Sequence, residues 1–206
     1  DYFRDNELPS NLNTNEKSIP VILFVDTFNR YYEPENVRSA IKVLKKAGYF
    51  PFIPTLENSR KILCCGRTYL TNGLINHAKN EVLRILETYK PYLKNGISIV
   101  GLEPSCILSF RDEIPSLIKN EETDYLKNNS YTFEELLSKH SEELKFKNLT
   151  KKVLLHGHCH QKAFDVVKPI ENILKNIRGA NCEKIETSCC GMAGSFGYDN
   201  YTYDIS

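Results

Sequence analysis

Cysteine has the widest chemical scope of any residue in this chain, and its placement is patterned. Seven are present. Four form two Cys-Cys-Gly motifs, Cys64-Cys65-Gly66 and Cys189-Cys190-Gly191. Cys106 follows Glu103-Pro104-Ser105, Cys159 sits inside His156-Gly157-His158-Cys159-His160, and Cys182 stands alone. Thiolates are soft ligands that suit iron–sulfur clusters or zinc, and several packed together without a cation repel one another and take up protons. Disulfide stapling is not needed: a chain of 206 residues buries about 70% of the surface its unfolded form exposes. The competing view of a cysteine is a small buried hydrophobe. That view fits Cys182, which has no counterpart elsewhere, but fits poorly with two Cys-Cys-Gly motifs in matching contexts. Neighbouring side chains of a regular strand point to opposite faces, so each pair needs an irregular turn to aim both sulfurs at one centre. The glycines that follow, Gly66 and Gly191, allow one.

The histidines add nitrogen donors. His156, His158 and His160 alternate, and would share one face if a strand ran straight through them; a turn at Gly157 would break that parity. They could ligate zinc, orient a ligand from behind, donate to a cluster sulfur, or simply pack. His77 and His140 fall on helix surfaces and read as solvated. Asp26 and Thr27 stand where the later part of the chain has His158 and Cys159. If the first half holds a metal centre, Asp26, water or a residue outside the chain must fill that position.

The elements that must position these groups can be read from periodicity. Residues 21–26 (VILFVD) suit a strand buried on both faces. Pro34 opens a helix lined by Val37, Ala40, Ile41, Leu44 and Ala47, with Gly48 at its end. Residues 49–53 read as a second strand, which Pro51 restricts to an edge or a bulge. A long amphipathic helix from Leu74 to Tyr89 should close at Pro91, and Asn95-Gly96 turns into the strand ISIVG. The polar stretch 119–131 reads as a linker or hinge. Thr132 and Glu135 form a capping-box pattern ahead of a helix over 133–146. Strands near 153–156 and 183–187 flank a helix at 169–177. The same order, a strand, a helix, a strand and then Cys-Cys-Gly, occurs twice. The expected fold is α/β: two pseudo-repeated Rossmann-like βαβ units with mostly parallel sheets, the second truncated. The boundaries expected are a linker at 1–20, a first unit at 21–118, a connecting linker and helix at 119–150, and an incomplete second unit at 151–206. In such sheets, loops at the carboxyl ends of the strands line a common crevice, where the cysteine motifs should converge.

Composition excludes several classes. The net charge is +1, from 27 basic and 26 acidic residues, which argues against a nucleic-acid binder relying on phosphate contacts. No apolar run approaches the ~20 residues of a transmembrane segment, and residues 1–20 carry no export pattern. A cytoplasmic protein follows, with peripheral attachment to an inner membrane allowed. The polar start at Asp1 and the short remainder after Cys190 give the expectation of a piece of a longer protein.

With these residues in view, the chain resembles the cysteine-rich (CCG) domain family found in heterodisulfide reductases. The same domain is the C-terminal iron–sulfur region of FAD-linked D-lactate or glycolate-type oxidoreductases. The likeness rests on Val25-Asp26-Thr27-Phe28, Cys64-Cys65-Gly66-Arg67, the stretch Gly101 to Cys106, Phe110-Arg111-Asp112-Glu113, the stretch His156 to Ala163, and Cys189 to Tyr198. It implies that Cys64, Cys65 and Cys106 serve one centre and Cys159, Cys189 and Cys190 another, or that parts of both sets meet. It also implies a [4Fe–4S]-type cluster in the intact protein, FAD in an upstream domain of the same polypeptide, and a quinone or protein as electron acceptor. Thr27 departs from the pattern, in which an isolated cysteine precedes each pair. No Gly-x-Gly-x-x-Gly follows a strand, so hydride chemistry is expected outside these residues. Two alternatives remain: a structural zinc module, and thiol chemistry on a disulfide substrate.

Overall fold

The computed structural model describes residues 1–12, 17–55, 61–140, 144–187, 190–194 and 196–205. Packing divides them into two units, Asp1–His140 and Ser141–Ser206.

The first unit is built on a four-stranded, wholly parallel sheet: β1 (Ile19–Phe24), β2 (Tyr49–Phe52), β3 (Ser98–Gly101) and β4 (Ser130–Thr132), in the order β2-β1-β3-β4. Between them run α1 (Thr27–Tyr31), α2 (Pro34–Lys46), α3 (Arg67–Thr71), α4 (Ile75–Leu93), α5 (Pro104–Ile107), α6 (Glu113–Leu117) and α7 (Glu121–Asn129); α8 (Phe133–Ser138) follows β4. Central β1 and β3 explain the unbroken apolar runs. Val21, Ile22, Leu23, Ile99 and Val100 are fully buried, with helices over the faces of the sheet. Phe24 meets Phe110 edge to face at 5.0 Å between centroids. Pro51 lies on edge strand β2, where its missing donor faces no partner strand.

Some elements differ from the reading of periodicity. Pro91 does not end α4; it lies in the last turn, where only one helical hydrogen bond is lost, and the helix runs on to Leu93 before Asn95-Gly96. The polar stretch 119–131 is not a linker. Asn120 and Thr123 form a reciprocal capping box, acidic residues fill the first turn of α7, and Leu126 is buried, so a short apolar stripe suffices. The chain then enters β4, whose Ser130 lies opposite Ile99. In α8 the Thr132–Glu135 capping box forms, but the helix ends at Ser138 rather than near 146. Three and four residues beyond Leu136 and Leu137 stand Lys139, His140 and Ser141, so the next turn has no apolar residue to extend the stripe. The start of the chain is also folded: Phe3 and Leu8 are buried, and the Phe3 N–H donates to the Arg30 carbonyl at 2.9 Å.

The second unit has β5 (Lys151–Leu155), α9 (Cys159–Ala163), α10 (Lys168–Lys175) and β6 (Ala180–Lys184), with β5 and β6 parallel. β6 starts earlier than expected, directly after the turn at Gly179, because Ala180 pairs with Lys151. The order β5-α9-α10-β6 reproduces β1-α1-α2-β2, down to a five-residue helix after the first strand. No described helix is long and apolar enough to cross a membrane.

Two outcomes follow from this packing. A Cβ at Gly101 would stand 2.6 Å from the Cβ of Ile107. Gly101→Ala should therefore cost about 1–3 kcal/mol in denaturant unfolding, with part of the loss recovered in Gly101→Ala/Ile107→Ala. Glu7 accepts from Arg38 at 2.9 Å and from the Arg4 N–H at 3.0 Å, and these hold its carboxyl down at about 2. A folded pKa below the unfolded one gives stability that is present above about pH 4.3 and is lost as pH falls toward 2. The stability gap between wild type and Glu7→Gln should close over that window in pH-dependent unfolding.

Candidate metal centre

In the first unit, three thiols gather beyond the carboxyl ends of the strands. Gly66 adopts a left-handed conformation (φ +79°), which ends the Cys-Cys step and starts α3. A side chain there would press on the Ala78 carbonyl at 3.2 Å. The turn aims the Gly66 N–H at the Cys64 sulfur, 3.5 Å away, and the Arg67 N–H at Cys65. Cys106 arrives from β3. The Glu103 carboxylate caps α5, accepting from the Ser105 N–H at 3.1 Å and the Ser105 hydroxyl at 2.6 Å. Cys106 is thereby placed with its sulfur 3.2 Å from that of Cys65. Both are buried, and Cys64 is half-buried. An Arg67–Glu113 ion pair joins the Cys-Cys turn to the segment after Cys106.

The electrostatics of this set are those of thiols without a cation. Cys64 is pushed far up by the hydrogen bond it shares with Cys65, then by burial and by the charge Cys65 would carry; the Gly66 N–H opposes this. Cys65 is raised by its hydrogen bond with Cys106 and by burial. A soft cation would reverse both shifts, because thiolates bind metal and thiols do not.

Asp26, expected as a possible fourth ligand, is occupied otherwise. It is buried, and it caps α1: Oδ1 accepts from the Asn29 N–H at 2.9 Å and Oδ2 from the Asn29 amide at 2.8 Å. Burial raises its pKa, and Glu103 adds to the rise. Thr27, the first residue of α1, is exposed.

In the second unit, His158 plays the part of Asp26 and Cys159 that of Thr27. The strand ends at Leu155, so the alternation of the histidines is broken at Gly157. His158 Nδ1 accepts the His160 N–H at 3.1 Å, capping α9, and the Gln161 side chain accepts the His158 N–H at 3.1 Å. Cys159 is exposed, with its sulfur 3.8 Å from His158 Nδ1 and 3.6 Å from His160 Nδ1. The two imidazoles stack at 5.2 Å. Among the described residues this is the one group of three potential ligands within 4.8 Å of one another. His156 Nε2 lies 3.4 Å from the Thr187 hydroxyl, and Lys162 donates to the Thr187 carbonyl at 2.7 Å, tying the α9 turn to the approach to the second cysteine pair. Cys190 is exposed; Cys189 lies outside the described residues. Cys182 is half-buried on β6, opposite Val153.

Sequence reasoning missed the ionic clamps. Arg111 donates to the Ser130 carbonyl at 2.8 Å and grips Glu135 with both terminal nitrogens at 2.8 and 3.0 Å, fixing the edge strand β4. Its place in Phe110-Arg111-Asp112-Glu113 gave no sign that a partner waited 24 residues on. The Thr132–Glu135 capping pattern did mark the acceptor.

No family model matches the chain. It is 26% identical over 190 residues to a subunit of the anaerobic glycerol-3-phosphate dehydrogenase of Escherichia coli K12, covering 90% of this chain and 46% of that protein. It is 24% identical over 198 residues to the D-2-hydroxyglutarate dehydrogenase of the same organism, covering 95% of this chain but 18% of that one. Similarity to the lactate utilization protein A of Bacillus subtilis 168 is 23% over 185 residues, 85% of this chain and 74% of that protein. The chain thus spans about half or less of the first two relatives. Two of the three are named as a dehydrogenase or a part of one.

Metal-free protein treated with iodoacetamide at neutral pH should be labelled first at the exposed Cys159 and Cys190. Cys65 and Cys106 should resist until denaturant is added, as peptide mass spectrometry would report.

Proposed function

We propose that this chain is an iron–sulfur electron-transfer region of the cysteine-rich (CCG) kind, serving a flavin-dependent dehydrogenase that oxidises a small 2-hydroxy acid. The observation that carries the reading is the buried contact between the Cys65 and Cys106 sulfurs, flanked by Cys64 and by backbone N–H groups aimed at sulfur. That donor set fits part of a cluster site: it is all sulfur, and Cys65 and Cys106 are shielded from water, while a fourth ligand would have to come from elsewhere, since Asp26 is engaged in capping α1. Cys64, Cys65 and Cys106 would hold one centre, and Cys159, Cys189 and Cys190 a second. A bound cluster of the [4Fe–4S] type supplies one-electron transfer. The protein's own part is to exclude water around Cys65 and Cys106, to donate N–H groups to sulfur, and to keep the two loops in register through Arg67 and Glu113.

The surrounding enzyme follows from the resemblance to FAD-linked oxidoreductases that carry the cysteine-rich domain. FAD in another domain of the polypeptide would accept the hydride, and the electrons would leave through this region to a quinone or a protein. The names of the relatives support small hydroxylated anions as the substrate class. A structural zinc role is the second reading, and the grouping of His158, Cys159 and His160 favours it for the second unit.

Protein prepared without oxygen should be brown, with broad absorption near 400 nm and stoichiometric iron and sulfide. Cys65→Ser or Cys106→Ser should remove iron from one centre, and Cys189→Ser with Cys190→Ser should remove it from the other, while Cys182→Ser leaves iron unchanged. Colourless protein carrying about one zinc would overturn the cluster reading for this chain and support the second.

A further inference from the structure

A cavity of about 50 Å³ lies in the first unit at the carboxyl ends of β1 and β2, with Arg30, Lys61, Arg84 and Tyr89 in its wall. A water needs about 10–15 Å³ of such space, so the cavity takes roughly three to five waters or one compact oxyanion. Arg30 is only 3% exposed, yet its Nε–H has no hydrogen-bond partner among the described residues. The rest of its guanidinium is engaged: Nη1 donates to the Phe3 carbonyl at 3.3 Å and Nη2 to Asp5 at 2.7 Å. A buried donor left unpaired is costly, and such a group calls for a bound water, ion or ligand.

The wall favours an anion. Arg30, Lys61 and Arg84 stand in the wall with Asp5, which pairs with Arg30, while Lys61 and Arg84 share Glu81 just behind the wall, so these five charged groups keep one positive charge in excess. Burial keeps the Tyr89 phenol protonated, so it can donate. The position, outside the carboxyl ends of parallel strands, is where open α/β sheets bind ligands. We propose that this cavity is a binding site for a small oxyanion, a short carboxylate or inorganic phosphate. The Arg30 Nε–H and the Tyr89 hydroxyl are its donors, and Lys61 and Arg84 supply the positive field. The wall continues through Ile62 and Leu63 directly into Cys64, so an occupied site would brace the approach to the cysteine pair. None of these groups is a thiol, and the proposal stands whether or not the chain holds a cluster.

The test is calorimetric titration and thermal unfolding of the 206-residue chain with phosphate, acetate and D-lactate, against potassium chloride at matched ionic strength. Saturable one-to-one binding of at least one oxyanion, with a rise in Tm beyond the chloride control, is expected. Response to phosphate alone or to a carboxylate alone supports the site and identifies its ligand class. Tyr89→Phe, which keeps the packing, should weaken binding about fivefold, as the loss of one hydrogen bond implies. Lys61→Ala, on an exposed side chain, should also weaken it, and Arg30→Lys should abolish it. No heat and no shift beyond chloride would overturn the proposal, as would binding that is unchanged in both Tyr89→Phe and Lys61→Ala.

Discussion

A parallel strand that ends over a crevice must hand its chain to a turn whose first N–H groups have no carbonyl to meet, and in this protein side chains meet them. Asp26 does so after β1, Glu103 after β3, Thr132 at the end of β4 and His158 beyond β5. Each of these residues fixes the direction in which the next few side chains leave the sheet. Cys106 is buried against Cys65 because Glu103 holds Ser105, and Cys159 opens a short helix because His158 receives the His160 N–H. Polar residues that look like ligands in the sequence are therefore engaged in holding the backbone from which ligands project. Asp26 is the clearest case, with both carboxylate oxygens taken by one asparagine.

Burial and charge pull against each other at the thiols. Contact with the Cys106 sulfur and the loss of water around it both discourage ionisation of Cys65. The backbone donors from Gly66 and Arg67 offset only part of this. The folded scaffold thus holds geometry ready for a soft cation while remaining neutral without one. In the second unit the balance differs, since Cys159 is exposed and imidazole nitrogens stand beside it.

Much of this was legible in the sequence, for identifiable reasons. The apolar runs of β1 and β3 are continuous because both faces are covered, and the doubled order of strand, helix, strand and Cys-Cys-Gly appears in space as β1-α1-α2-β2 and β5-α9-α10-β6. Pro51 marked an edge or a bulge, and the strand that carries it lies at the edge of the sheet. What was not legible depended on long-range partners or on local capping strong enough to overrule composition. The polar stretch 119–131 becomes α7 and β4 through Asn120 and Thr123 and through pairing with β3. Pro91 was misread because its cost depends on position within a helix rather than on its presence. The Arg67–Glu113 and Arg111–Glu135 pairs join residues too far apart in sequence for any local pattern to reveal.

The order of the four-stranded sheet has a further consequence for its borders. One outer strand carries Pro51, which cannot donate to an incoming strand, and the other, β4, is three residues long, with Arg111 occupying the Ser130 carbonyl. Neither margin offers the long, regular row of donors and acceptors that recruits a foreign strand. The first unit can therefore carry a strongly apolar sheet centre without exposing a template for edge-to-edge aggregation.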